Sequence, residues 1–203
     1  MKLYFSPAAC SMAPHIVAAE AGIELELVKV DTQRHVTASG ADYDAINSKG
    51  QVPFLVLEDG STLSEGPVIA QYLADHARAL QLMPPPGSVG RYRVMEWQNY
   101  VTSELHKSYT PLFNPKFDAA AKAIQMAQLR QKYEWLEKQL AGKNFLTGAD
   151  FTAADAYLFT VTGWAKYVQL DLSDLPNLQA YLGRVAARPA VVKAMTEEGL
   201  LKS

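Results

Sequence analysis

Lys2-Leu3-Tyr4-Phe5-Ser6-Pro7-Ala8-Ala9-Cys10-Ser11-Met12 is the stretch on which the reading of this chain turns. Lys2 to Phe5 has the look of a strand, and Pro7 ends it. From Ser11 the rhythm becomes helical, with Met12, Ile16 and Ala19 on one face and Gly22 as a C-terminal stop. A strand therefore passes into a helix through a short turn, and that turn holds the chain's single cysteine. A lone cysteine reads first as a small buried hydrophobe. At a helix start, however, a thiol meets unsatisfied amide donors and the positive end of the dipole, which favour a thiolate and suit anions generally. The run Cys10-Ser11-Met12-Ala13 lacks the second cysteine of a Cys-x-x-Cys motif, so any redox cycle needs an outside thiol.

Outward from this turn, extended and helical segments alternate. Leu25 and Leu27 interleave with Glu24 and Glu26 in a half-buried strand running to about Val30, and an irregular polar stretch covers residues 31–49. Phe54-Leu55-Val56-Leu57 is a buried strand, Asp59-Gly60 a hairpin signal, and Thr62-Leu63 the return strand. A helix over 66–76 turns Ile69, Tyr72 and Leu73 inward. Leu82-Met83-Pro84-Pro85-Pro86-Gly87 has linker composition, since three successive prolines fit neither a helix interior nor a central strand. The expected division is an α/β domain over 1–80, a linker at 81–87 and an all-helical domain over 88–203.

In the second part a helix is expected over 88–109, stopping before Pro111. Another, N-capped by Asp118 and closed by Gly142, carries Ile124, Leu129, Tyr133, Leu136 and Leu140. Phe151-Thr152-Ala153-Ala154-Asp155 fits a capping box with Asp in place of Glu, ahead of an apolar run (Ala156, Tyr157, Leu158, Phe159, Val161, Trp164) with little polar face. That helix is expected inside the domain. Two more follow near 176–187 and 189–198, with Pro189 at a first helical position.

Composition excludes several classes. Apolar residues are 49% of the 203, enough for a real core, and 19 basic residues against 21 acidic give no case for nucleic acid or an anionic membrane. No apolar run reaches the roughly 18 residues of a membrane span, and no signal-peptide core is present, so the expected location is the cytoplasm. One cysteine rules out an internal disulfide and weighs against a cysteine-based metal site, and no metal is expected.

Two further places carry chemistry. In Gln51-Val52-Pro53 the proline stands at a strand entrance, either as a rigid trans turn or as a cis bond that would turn the Val52 backbone toward an extended ligand. In Ser64-Glu65-Gly66 the carboxylate either caps the following helix or meets a ligand ammonium, with the Gly66 amide near a carboxylate. Ser11 reads as a cap, His15 as a packed or surface histidine, His76 as a helix-end residue, and Trp97, Tyr100 and Tyr109 as core or substrate wall.

Taken together, the strand–Cys10–helix turn, Gln51-Val52-Pro53, Glu65-Gly66, the proline-rich linker and the Phe151–Asp155 box resemble the glutathione transferases over essentially the whole chain. Cys10, Asn99, Glu104-Leu105-His106-Lys107 and the terminal Glu198-Gly199-Leu200 narrow the resemblance to the bacterial beta class, near the enzymes associated with aromatic-pollutant degradation. The resemblance implies a thioredoxin-like domain with a C-terminal helical domain, a twofold homodimer, a cis Pro53 and a role in detoxification. It implies glutathione as co-substrate and a small hydrophobic electrophile as partner. Cys10 would lie at the glutathione sulfur, Val52 and Pro53 beside its cysteinyl part, and Glu65 with Gly66 at its γ-glutamyl end. Asn99, Ser103, Glu104, Leu105 and His106 come from the helical domain, some of them reaching the partner subunit's site. Cys10 and His106 are the expected catalytic pair. The family's lysine for the glycine carboxylate is His35 here, and its serine after the glutamate is Gly66. Phe5 stands where relatives often carry tyrosine, so a tyrosine-activated thiol is not expected. Three activities follow: conjugation, a Cys10-dependent disulfide reductase or reductive dehalogenase, or non-catalytic binding of glutathione or a partner.

Overall fold

The computed structural model of the protein describes residues 1–201. The first part holds a sheet of β1 (Lys2–Phe5), β2 (Glu26–Asp31), β3 (Val36–Thr37), β4 (Phe54–Val56) and β5 (Thr62–Ser64), in the order β3-β2-β1-β4-β5. β1 and β2 run parallel, which requires a crossover, and α1 (Met12–Glu20) supplies it. β4 and β5 pair antiparallel across Asp59-Gly60, where Gly60 takes a φ of 84° that suits only a residue without a side chain. α2 (Gly66–His76) then returns over the sheet. Successive strand residues face opposite sides. Leu3 thus joins Ile16, Leu55 and Leu73 in the main core, while Tyr4 packs with Val30, Tyr43, Val52 and Phe54 on the other side. β3 falls inside the stretch read as irregular. Two residues are too few to leave a periodic signal.

From residue 89 onward the described chain is helical: α3 (Val89–Tyr100), a π-helical segment (Val101–His106), α4 (Lys107–Phe113), α5 (Ala119–Leu140), α6 (Ala153–Thr162), a 3₁₀ turn (Ala165–Val168), α7 (Pro176–Ala186) and α8 (Pro189–Glu197). The helix expected to stop before Pro111 runs through it to Phe113. Proline interferes with the carbonyl four residues earlier, which here is that of Lys107, the first residue after the π segment, where the ordinary ladder is already shifted. Ile124 is also a correction, being 63% exposed. It precedes Leu129 by five residues, roughly 140° around the helix from the stripe that Leu129, Tyr133, Leu136 and Leu140 bury.

The two parts share one core, in which Leu3, Ile16 and Leu73 are continuous with Leu105, Leu129 and Leu158. Leu82 and Met83 are buried in it, and the Leu82 carbonyl accepts from the Ala153 N–H at 3.0 Å. α6 lies at its centre, and both halves of the capping box are formed. The Thr152 N–H and hydroxyl each donate to Asp155 Oδ2 at 2.8 Å, and the Leu146 N–H donates to Oδ1 at 2.9 Å. The architecture is a thioredoxin-like α/β part followed by an all-helical one.

Candidate active site

The turn between β1 and α1 is closed by its own side chains. Ser11 does not cap α1 as expected. Its hydroxyl accepts from the Ser6 N–H and donates to the Ser6 carbonyl, both at 3.2 Å. Cys10 is half-buried, and its Sγ donates to the Val52 carbonyl at 3.2 Å. Burial pushes the thiol up to about 11, against the pull of the Cys10 and Ser11 amides, with Glu65 raising it further. The expected thiolate is thus a neutral thiol here. Desolvation outweighs the helix start, and the Val52 carbonyl stabilises the protonated form.

Val52-Pro53 is cis. Glu65 precedes α2 with φ 70° and ψ 112°, a conformation that residues with a side chain avoid and that concentrates at functional sites. Its carboxylate makes no capping bond. It is 63% exposed and meets the Lys49 ammonium at 2.9 Å, so the cap reading fails. At Gly66 an added Cβ would make only ordinary contacts with Pro53 and the Cys10 carbonyl, so the family serine would have fitted. His35 Nδ1 lies 2.7 Å from Asp44 Oδ1, and a side chain at Gly50 would strike both, which explains the glycine there.

Across the cleft stands His106, at the end of the π segment. A π segment adds a residue to the turn and re-aims the side chains after it. His106 Nδ1 lies 2.6 Å from the Tyr157 hydroxyl. Burial, helped by Lys107, lowers His106 to about 4, and burial raises Tyr157 above the ordinary tyrosine range. Both groups are neutral near pH 7. The contact engages Nδ1 and leaves Nε2 for a ligand; a Tyr157 O–H that donates to Nδ1 puts the proton of His106 on Nε2.

These residues line one cleft of about 560 Å³ that brings together Cys10, His35, Val52, Pro53, Glu65, Gly66 and His106. An adjoining apolar cavity of about 350 Å³ shares Cys10 and His106 and is walled by Tyr109, Phe113, Trp164 and Tyr167. Trp97 and Tyr100 line a separate cavity with Trp135, apart from this cleft. Asn99, Ser103, Glu104 and Leu105 do not line the cleft either. Leu105 is buried in the core, Glu104 pairs with Lys132 at 3.0 Å, and the Ser103 hydroxyl donates to the Asn99 carbonyl at 3.1 Å. Sequence reasoning missed Tyr157, hidden in an apolar run, and the Lys49 and Asp44 partners, which carry no periodic or motif signal. Among the described residues no His, Cys, Asp and Glu group is arranged to hold a metal ion, and no helix is long and apolar enough to cross a membrane.

Two family models match, the glutathione S-transferase N-terminal domain over residues 8–76 and the C-terminal domain over 110–184. Glutathione S-transferase GstA of Escherichia coli O157:H7 is 46% identical over 200 residues, covering 98% of this chain and all of that one. The chain belongs to the glutathione S-transferase family. A sphingomonad glutathione S-transferase complexed with glutathione superposes with a TM-score of 0.94 at 43% identity, covering 99% of this chain and 100% of that one. A bacterial beta-class glutathione S-transferase of Sphingomonas chungbukensis does so with 0.95 at 41%, over the same shares. In this glutathione S-transferase Cys10, His35, Val52, Pro53, Glu65 and Gly66 fall within the N-terminal match, Tyr157 and Trp164 within the C-terminal one, and His106 between them.

Proposed function

We propose that this glutathione S-transferase joins reduced glutathione to small, flat, apolar electrophiles, acting as a cytoplasmic homodimer in detoxification. The carrying observation is that the polar cleft and the aromatic cavity meet at Cys10 and His106. Glutathione lies along the cleft with its γ-glutamyl end at Glu65 and Gly66 and its cysteinyl part beside Val52. His35, steadied by Asp44, takes the glycine carboxylate. The glutathione sulfur then sits between Cys10 and His106. Its proton leaves to solvent, and Nε2–H of His106 donates to the thiolate as a donor already aimed at the sulfur. The thiolate attacks the electrophilic carbon held among Phe113, Trp164 and Tyr167, where the carbon–sulfur bond forms as a halide departs with the bonding pair. Residues 81–87 connect the glutathione-binding part to the helical part.

A second reading uses the same geometry. Cys10 lines the cleft, where its thiolate would exchange with a glutathione disulfide to form one mixed disulfide and release one glutathione thiolate. Relatives named as glutathione S-transferases favour an enzyme over a non-catalytic binding protein. The test is conjugation of glutathione to an activated aryl halide, followed in the wild type and in Cys10→Ala. Conjugation by both proteins is expected. Its absence from the wild type, with glutathione bound, would refute the transferase reading of the site.

A further inference from the structure

A carboxylate from the far end of the chain grips the turn that carries Cys10. Glu198 follows α8, and its side chain is fully buried. Its Oε2 accepts from the Ala8 N–H at 3.0 Å, while Oε1 meets His15 Nδ1 on α1 at 3.1 Å. His15 is buried too, and its Nε2 lies 2.8 Å from Glu197. From the opposite side the Trp164 Nε1–H donates to the Ala8 carbonyl at 2.8 Å. Side chains from the helical part thus occupy both polar groups of Ala8, and neither group is used by a strand or helix. Ala8 has φ 60°, a left-handed conformation that disfavours any residue with a Cβ and persists only where its surroundings impose it. Ala8, Ala9 and Cys10 in turn line the apolar cavity.

We propose that Glu198 is a positioning residue, which holds Ala8 in its left-handed conformation and so sets the direction from which Cys10 and the apolar wall face a bound substrate. His15 is the second partner of this buried carboxylate, at its other oxygen. Burial works against the charge on His15, but the Glu198 and Glu197 carboxylates outweigh it and hold the ring above its ordinary range. The proposal rests on the site reading given above, and it concerns the chemical step more than glutathione affinity, because Val52, Glu65 and Gly66 lie outside the grip.

The experiment compares Glu198→Ala, Glu198→Gln and Val191→Ala well below their melting temperatures. Turnover, the glutathione KM and the rate of Cys10 alkylation without glutathione are the readouts. Val191→Ala removes buried apolar volume from α8 and no hydrogen bond, so it serves as the control for lost stability. Glu198→Ala should lower kcat on the order of tenfold, as small misplacements of reacting groups do. Its glutathione KM should stay within about twofold, and its Cys10 should alkylate severalfold faster as the turn relaxes. Glu198→Gln keeps an acceptor oxygen for the Ala8 N–H and should recover most of both. Val191→Ala should melt lower with wild-type kcat and alkylation. If Glu198→Ala fails to fold, Glu198→Asp, one methylene shorter, should give the same pattern at smaller size. Wild-type kcat and alkylation in a folded but less stable Glu198 variant would overturn the proposal. A wild type that does not conjugate would refute the transferase reading instead, and the alkylation comparison would still decide this one.

Discussion

At the scale of single residues, the site divides into groups that hold glutathione and groups that act on its sulfur. Glu65 is exposed, already spans to Lys49, and stands in a conformation its helix does not need. His106 is neutral and held at Nδ1 by Tyr157, which leaves Nε2 for a ligand. His106→Ala should therefore lower kcat more than it raises the glutathione KM, and Glu65→Ala should do the reverse. Equal effects on both constants in both variants, from steady-state kinetics, would dissolve this division. Much of this was legible in the sequence, because Cys10, Gln51-Val52-Pro53 and Glu65-Gly66 each sit at the end of a readable element. The protonation states were not. Whether a thiol at a helix start ionises depends on how far it is buried, and the Val52 carbonyl that accepts its hydrogen bond lies 42 residues away. Tyr157 escaped notice for a similar reason. In an apolar run a tyrosine looks like core until a partner for its hydroxyl is known.

At the scale of elements, capping and periodicity proved reliable guides, and backbone irregularity did not. The Asp118 cap, the Thr152–Asp155 box and the Asp59-Gly60 turn mark boundaries through local chemistry, and each stands where it was read. The π segment and the helix running through Pro111 were missed because they answer to packing around the cleft. α6 offers the cleanest test of a purely structural motif. Thr152 and Asp155 tie its start to Leu146 in the interior, away from the cleft. Thr152→Ala should cost roughly 0.5–2 kcal/mol, as the loss of an N-cap does, and lower the melting temperature. Titration of the folded fraction should return unchanged glutathione affinity. Lost affinity at unchanged stability would make the box part of the site.

At the scale of the whole molecule, the face of α3 turned away from the core carries Tyr92 at 59% exposure and Met95 at 37%, in line with Asn99 and Ser103. A twofold interface presents one self-complementary patch from both subunits. Such a patch accounts for the exposed apolar groups and would bring Asn99, Ser103 and Glu104 toward a neighbouring cleft. Light scattering at micromolar concentration should give the dimer mass, and Tyr92→Glu should shift it toward monomer. A wild type that is monomeric throughout would leave those three residues without a site. The central claim is that bound glutathione places its sulfur beside Cys10, and the mass of the intact protein tests it most directly. A Cys10 thiolate attacking oxidised glutathione forms one mixed disulfide and releases one glutathione thiolate. The wild type should gain one glutathione, reversibly with reductant. Because burial holds the thiol at about 11, the rate should climb with pH through the alkaline range without levelling near neutrality. Cys10→Ala should gain nothing while still binding reduced glutathione. A folded wild type inert to both oxidised glutathione and an alkylating reagent would contradict the account and make Cys10 a plain core residue.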